Sequence, residues 1–173
     1  PFIHASLPSD TKNMGKDRNM ADHGVYAIIP QPSLEDRCAI HDTLAAYGAT
    51  FDNDNLAAFG KLIAQDAVVR LPSAGSFIEQ ARGHDALMAL FGGIRTDLRN
   101  SGLQPRHYVS NILIRACDGA RAEADAYLLY TDYDSASGDT KVVRGGIYSF
   151  ALVKRDGAWL LHDWAVKYDG FSL

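Results

Sequence analysis

The chain has 173 residues, a formal net charge of −4 and a hydrophobic content of 47%. These values are typical of one globular domain that is large enough to bury a core without disulfide bonds. They argue against nucleic-acid binding, because no basic run is present, and against a membrane span, because no apolar run approaches roughly 20 residues.

Residues 1–32 differ in composition from the rest of the chain. They are rich in Pro, Ser, Asp, Asn and Lys and show no lasting hydrophobic periodicity. We therefore predict an extended or disordered N-terminal arm at 1–32, followed by one folded domain at 33–173. The two cysteines, Cys38 and Cys117, form neither a disulfide framework nor a zinc pattern, so we expect both to be buried and the protein to be cytoplasmic.

Three helices are predicted after the arm. Ser33 is a typical N-cap for the first helix, which extends to about Phe51, and Asp54 is the expected cap of the second. The third helix begins after Gly83. The apolar residues at helical spacing are Leu34, Cys38, Ile40, Leu44, Ala45 and Tyr47, then Leu56, Phe59, Leu62 and Ile63, then Leu87, Leu90, Phe91, Ile94 and Leu98.

Strands dominate the second half of the chain. Two short strands are expected before the third helix and four longer ones after it, at 67–71, 77–81, 106–116, 121–132, 141–154 and 158–168. Asp-Gly pairs between apolar runs predict hairpins, so the long strands should form an antiparallel meander. Helices that precede a meander indicate an α+β fold, in which a curved antiparallel sheet wraps three helices and leaves a pocket inside the resulting cone.

The sequence lacks the common signatures of cofactor, metal or covalent catalysis. It has no Gly-rich phosphate loop, no G-x-S-x-G elbow and no H-E-x-x-H motif, and its six histidines do not occur at metal-binding spacings. We therefore predict no metal site and no cofactor, so that any reaction would depend on side chains alone.

Two residues indicate proton-transfer chemistry. His107 enters a half-buried strand, and a neutral imidazole with one nitrogen held in place is a suitable general base near neutral pH. Asp52, at the end of the first helix, is the best candidate for the carboxylate that holds it. If the two form a dyad, an Asp52 oxygen should lie within hydrogen-bond reach of His107, and both should face a pocket. Alternatively, both have structural roles only: Asp52 as a carboxylate at the end of a helix, and His107 as a strand residue whose hydrogen bonds are satisfied.

Three stretches of the sequence resemble one known superfamily. They are 47–52 with 53–59 and 66–68, then 106–111, then 145–148 with 154–159. Together they are similar to the SnoaL-like group of the nuclear-transport-factor-2-like (NTF2-like) superfamily, over about 33–169. This group includes scytalone dehydratase, bile-acid 7α-dehydratase and hexachlorocyclohexane dehydrochlorinase, so the resemblance implies an NTF2-like cone and an eliminating enzyme.

The resemblance also implies roles for three residues. His107 matches the general base of the group, Asp52 its dyad partner, and Tyr47 a tyrosine of the pocket. Two positions depart from the dehydratases. No histidine occurs at 144–148, where scytalone dehydratase has a second essential one, and Tyr130 stands where the bile-acid enzyme has an acidic residue. The resemblance therefore implies the dyad without the leaving-group chemistry of either enzyme.

Strand alternation adds three candidates for substrate binding. Tyr130 shares a face with small alanines on its strand, and Arg144 shares a face with Tyr148 on the next strand. A tyrosine hydroxyl or an arginine can polarise a carbonyl or assist a leaving group. As structural residues the tyrosines would be core or subunit contacts and Arg144 a surface charge, and a one-residue bulge would exchange the faces.

These features favour a cofactor-independent lyase of the dehydratase type that acts on a small or medium apolar ring compound. The same dyad would serve an isomerase, because elimination and enolisation share the first proton abstraction. Another alternative is a non-catalytic subunit or binding module, such as the small subunit of ring-hydroxylating dioxygenases. Apolar residues on the outer face of the meander predict a homo-oligomer, and the resemblance implies a trimer or a dimer, of which we favour the trimer.

Overall fold

The computed structural model describes residues 32–73 and 76–170, so the arm predicted at 1–32 lies almost entirely outside the described residues. The elements in chain order are α1 (Leu34–Asp52), α2 (Leu56–Gly60), β1 (Ile63–Ser73), β2 (Ser76–Arg82), α3 (His84–Asn100), β3 (Leu103–Cys117), β4 (Arg121–Asp134), β5 (Thr140–Arg155) and β6 (Ala158–Tyr168). Within these ranges no helix is long and apolar enough to cross a membrane.

One six-stranded sheet carries the fold, in the order β2-β1-β6-β5-β4-β3. The strands β3 to β6 form the predicted antiparallel meander, and β1 and β2 form the predicted hairpin. The strand β1 runs parallel to β6, so the prediction of a wholly antiparallel sheet is wrong at this pairing. Parallel neighbours need a long crossover, and here the chain passes through α3 and the whole meander before β6 returns to β1.

The core-facing stripe of α1 begins later than predicted. Its buried apolar residues are Ile40, Leu44, Tyr47 and Phe51. The prediction that Leu34 and Cys38 face the core is wrong, because Leu34 is 78% exposed and Cys38 is exposed too. At about 100° per residue they lie about 240° and 200° around the helix from Ile40, on its solvent side. Cys117 is buried, as predicted.

The second helix is a single turn and begins differently from the prediction. Asp54, the expected cap, has a left-handed φ of 58°, and its carboxylate accepts a hydrogen bond from Arg95 of α3. Asn55 caps the turn instead, because its side chain accepts from the backbone N–H of Ala58 at 3.1 Å. Ile63 opens β1 and is not part of the helix. The described residues therefore contain three helices, of which only α1 and α3 are long.

Asp36 joins the start of α1 to the sheet. Its carboxylate accepts hydrogen bonds from Lys154 Nζ at 2.8 Å, from Trp159 Nε1 at 2.9 Å and from Ser33 Oγ at 3.0 Å. The bond from Lys154 is the main reason that the pKa of Asp36 is lowered, and those from Trp159 and Ser33 add to it. Asp36 therefore stabilises the fold in its ionised form.

We expect Asp36→Asn to lower the melting temperature at neutral pH and to lose this effect in acid. A carboxylate whose pKa in the folded state lies below the unfolded value of 3.8 contributes stability above that value, and the contribution disappears as the pH falls through the folded pKa. Thermal unfolding followed by circular dichroism at neutral pH and well below pH 3.8 measures this. Asp42→Asn, at an exposed position of α1, is the control. An equal Asp36→Asn deficit at both pH values would contradict the role.

Candidate active site

Asp52 and His107 are joined by two hydrogen bonds inside the fold. Nδ1 of His107 lies 2.6 Å from Oδ1 of Asp52, and the backbone N–H of His107 donates to Oδ2 at 2.7 Å. The side chains of His107 and Asp52 are only 10% and 5% exposed. The contact expected from the sequence is therefore present.

This arrangement decides which nitrogen of the ring can act as a base. A carboxylate can only accept, so we assign the proton of the neutral imidazole to Nδ1 of His107. Nε2 then carries the free lone pair. No hydrogen-bond donor or acceptor from the described part of the chain engages it, so it remains available to a bound molecule.

Gly48 lets α1 approach β3 beside this pair. A Cβ at this position would lie 3.2 Å from Cβ of His107 and 3.4 Å from its carbonyl oxygen. Asp52 follows about one helical turn later, and its own carbonyl oxygen accepts a hydrogen bond from Gln104 Nε2 at 2.7 Å. Close helix–strand packing thus brings the Asp52 carboxylate within reach of both the main chain and the ring of His107.

His107 lines a cavity of about 380 Å³ between the helices and the sheet. This volume lies within the range of about 300–1,000 Å³ that is usual for small-molecule sites. The apolar walls include Phe51, Leu90, Phe91, Leu128, Trp164 and Val166. The other polar residues that line it are Tyr47, Tyr130, Asp132, Arg144, Tyr148 and Tyr168. Every sequence-predicted site residue except Asp52 lines this cavity. Asp52 is bonded to Nδ1 of His107 and is not among the lining residues, so the expectation that both members of the pair face the pocket is wrong for Asp52.

Two buried tyrosine hydroxyls meet in the cavity. The hydroxyl oxygens of Tyr47 and Tyr148 are 3.5 Å apart, and the Tyr47 ring packs edge-on against His107 with 6.1 Å between centroids. Burial raises the pKa of Tyr47 to about 12 and raises the pKa of Tyr148 well above its usual value. Both hydroxyls therefore stay protonated at neutral pH, and the one that does not donate to its partner can donate to an oxygen atom in the cavity.

Tyr130 and Arg144 lie on one cross-strand row with His107. His107 pairs with Tyr130 across β3 and β4, and Tyr130 pairs with Arg144 across β4 and β5. The Tyr130 ring packs edge-on against His107 at 4.7 Å, and the Arg144 guanidinium lies 4.7 Å from the centroid of Tyr168. The pairing of β4 with β5 is regular up to the pair Tyr130–Arg144, and its register shifts only beyond Tyr130. Arg144 and Tyr148 therefore keep the shared face that was predicted for them.

Asp132 and Tyr168 also line the cavity and were not among the predicted site residues. Asp132 follows Tyr130 by two residues, so the same alternation that selects Tyr130 could have identified it. Tyr168 pairs with Gly146 across the β5–β6 hairpin and shares a face with Trp164 and Val166, so strand alternation could have identified it as well. Trp164 is 2% exposed and forms a cavity wall against Phe91, with 5.9 Å between ring centroids.

A larger, more open depression of about 880 Å³ lies elsewhere, beside Gly60, His84 and Met88. It contains neither Asp52 nor His107. Three or more potential metal ligands do not cluster anywhere in residues 32–73 and 76–170. We place the candidate site in the smaller cavity, because a candidate base and several hydrogen-bond donors converge there.

The helices, the six-stranded sheet and the interior cavity define the class of protein. The chain superposes on an NTF2-like protein with a cystatin-like fold from Novosphingobium aromaticivorans, with a TM-score of 0.66 and 21% identity over 80% of this chain and 85% of that chain. The fold is therefore NTF2-like. Within this class the chain belongs to the SnoaL-like family, because residues 32–165 match the model of the SnoaL-like domain.

Two further proteins are similar to this chain. Terrestric acid biosynthesis cluster protein E from Penicillium crustosum is 27% identical over 142 residues, which are 79% of this chain and 85% of the relative. The beta subunit of a candidate aromatic-ring-hydroxylating dioxygenase from Novosphingobium aromaticivorans is 21% identical over 80% of this chain and 92% of that chain, with a TM-score of 0.64. At such identities the solved structures establish the fold alone.

Proposed function

We propose that this protein is a cofactor-independent lyase that removes water, or a comparable leaving group, from a small or medium apolar ring compound. The hydrogen bond between Asp52 and Nδ1 of His107 supports this proposal, because it leaves Nε2 available as a base beside an apolar cavity. Tyr47, Tyr148, Tyr130 and Arg144 are the proposed substrate-binding residues, since each lines that cavity.

The proposed reaction begins at a carbon next to a carbonyl group. Nε2 of His107 takes the proton, the C–H electrons form an enolate, and a hydroxyl of Tyr47 or Tyr148 donates to the oxygen on which negative charge develops. The enolate then expels a hydroxyl from the next carbon, the imidazolium returns its proton to that oxygen, and water leaves. Asp52 stabilises the imidazolium between the two transfers.

The same residues would serve an isomerase. In that case the imidazolium of His107 would return its proton to a different carbon of the enolate, and no group would leave. The two reactions share the first step, so they differ in the product and not in the base.

Two model ketones in D₂O test the proposal. The β-hydroxy ketone 3-hydroxy-1-tetralone can lose water to give 1-naphthol, whereas 1-tetralone can only exchange its C2 protons with the solvent. We expect the wild-type protein to accelerate naphthol formation, followed by absorbance and NMR. Exchange without elimination would favour the isomerase. Rates no higher than those of His107→Ala would contradict both.

A non-catalytic subunit is the second candidate, and the outer face of the sheet favours it. Tyr108, Tyr127 and Leu129 are 53%, 56% and 42% exposed, and Tyr108 and Leu129 are paired across β3 and β4. The similar beta subunit described above has the same fold. The His107–Asp52 pair separates the candidates, because a purely structural subunit has no need of a base beside an open cavity.

We also propose that this outer face, made of Tyr108, Tyr127, Leu129 and Ile147, joins copies of the chain into a homo-oligomer, a trimer in preference to a dimer. Tyr127→Lys should then give a particle near the chain mass of 18.8 kDa, because a charge would be buried in the contact. Size-exclusion chromatography with light scattering measures the mass. Asp42→Lys, on the exposed side of α1, should leave it unchanged. A monomeric wild-type protein would contradict the proposal.

A further inference from the structure

Asp132 lines the cavity but has no part in the proton transfers proposed above. Its Oδ1 is buried and forms no hydrogen bond with the described residues. A buried acceptor without a hydrogen bond costs free energy, and buried polar atoms in proteins nearly always have a partner. This oxygen therefore has the properties of an atom that binds a ligand.

The neighbouring polar residues do not neutralise Asp132. Burial, the negative charge of Asp132 and a side-chain hydrogen bond with it raise the pKa of Tyr130, so its hydroxyl stays protonated. This contact still leaves Oδ1 of Asp132 without a hydrogen-bond partner. Arg144 lines the same cavity, but its guanidinium lies over the Tyr168 ring. It forms no ion pair with Asp132 within 4.0 Å in the described ranges. A carboxylate and a guanidinium thus line the same cavity without pairing.

We propose that Oδ1 of Asp132 accepts a hydrogen bond from a hydroxyl group of the substrate, so that the cavity selects hydroxylated ring compounds. This inference rests on the proposed function, because it names the substrate class of the same cavity. The charges of Asp132 and Arg144 act in opposite senses on any charged ligand, so neither a carboxylate nor an ammonium group gains a clear advantage over a neutral group. A neutral hydroxyl can donate to Oδ1 of Asp132, and the apolar walls accommodate the ring that carries it.

The hydroxyl that Asp132 binds is one that the ring retains. Donation to a carboxylate makes a hydroxyl oxygen richer in electrons, and such an oxygen is a poorer leaving group. Asp132 is therefore a specificity-determining residue, distinct from the base His107.

Binding of matched probes tests this inference. The compounds 2-naphthol and 2-methoxynaphthalene differ in the hydroxyl hydrogen, and naphthalene controls for the bulk of the methyl group. By isothermal titration calorimetry at neutral pH, we expect the wild-type protein to bind 2-naphthol about tenfold or more tightly than either other probe, as is usual for a hydrogen bond to a charged group. Chemical-shift changes at Tyr130 and Trp164 should locate the probe.

The variants at Asp132 separate recognition from folding. Asp132→Leu should weaken the binding of 2-naphthol about tenfold and change the affinity for 2-methoxynaphthalene by less than about twofold. Asp132→Asn keeps a neutral acceptor, so its affinity for 2-naphthol should lie between those of the wild-type protein and Asp132→Leu. Both should match or exceed the wild-type melting temperature, because they remove a buried carboxylate oxygen that has no hydrogen bond. Asp125→Asn is the control, since this side chain bonds Ser149 on the opposite face of β4.

Three results would overturn the inference: equal affinity of the wild-type protein for the alcohol and the ether, an unchanged preference in Asp132→Leu, or no saturable binding of 2-naphthol. A different result would contradict the proposed function: His107→Ala would then turn over the model ketones as fast as the wild-type protein does. We expect His107→Ala to retain the preference for 2-naphthol, since Asp132 and not the imidazole binds the hydroxyl.

Discussion

The His107→Ala variant should lose roughly 10²–10⁴-fold in kcat, the usual contribution of a general base, while it keeps the wild-type fold. The substitution removes Nε2, the proposed base. It leaves in place the backbone N–H of His107, which donates to Asp52 at 2.7 Å, so the tie between α1 and β3 survives. Naphthol formation and deuterium exchange measure the loss, and circular dichroism reports the fold.

The chain contains a matched control for this variant. His162 and Asp66 also form a histidine–carboxylate contact, at 3.5 Å, but their side chains are 35% and 65% exposed. Neither residue lines the cavity of His107. His162→Ala should therefore leave kcat unchanged, and a wild-type rate in His107→Ala would contradict the proposed mechanism.

Asp52→Asn should reduce kcat by up to about 10⁴-fold, nearly as much as His107→Ala, although it changes a residue that does not touch the substrate. The backbone N–H of His107 can only donate, so the amide oxygen of the new side chain must face it. The amide NH₂ group then faces Nδ1, which has to become an acceptor. The ring proton moves to Nε2, and the nitrogen beside the cavity can no longer take a proton from the substrate.

The tautomer itself can be measured. Nitrogen NMR of labelled protein should show His107 protonated on Nδ1 in the wild type and on Nε2 in Asp52→Asn, with KM little changed. Asp54→Asn is the control, because Asp54 carries a charge two residues away and bonds Arg95 instead of His107. Wild-type kcat in Asp52→Asn, or the same tautomer in both proteins, would contradict the mechanism.

The pairing of Asp52 with His107 was only partly predictable. The residue types indicated a base and its carboxylate, and the family resemblance connected them, but spacing alone also allowed two unrelated structural residues. Their contact depends on how closely α1 packs on β3, which Gly48 permits. That distance is a tertiary property, and a hydrophobic pattern does not encode it.

Other parts of the structure depend on tertiary contacts in the same way. The meander was predictable because alternation and Asp-Gly turns are local signals. The parallel pairing of β1 with β6, for example Val69 with Trp164, joins strands that are far apart in sequence, so no local signal specifies it. The error at Cys38 had a different cause: the residue is apolar, but the helical phase set by Ile40 places it towards solvent.

Asp52 uses one oxygen for the imidazole and the other for the main chain of β3. Loss of His107 would therefore remove the proposed reaction, whereas loss of any acceptor at position 52 would also leave a buried N–H unpaired, at a cost of about 1–3 kcal/mol. Natural selection would consequently treat the two positions unequally. In a descendant that no longer catalyses a reaction, we expect residue 107 to be substituted first and a hydrogen-bond acceptor at position 52 to be retained.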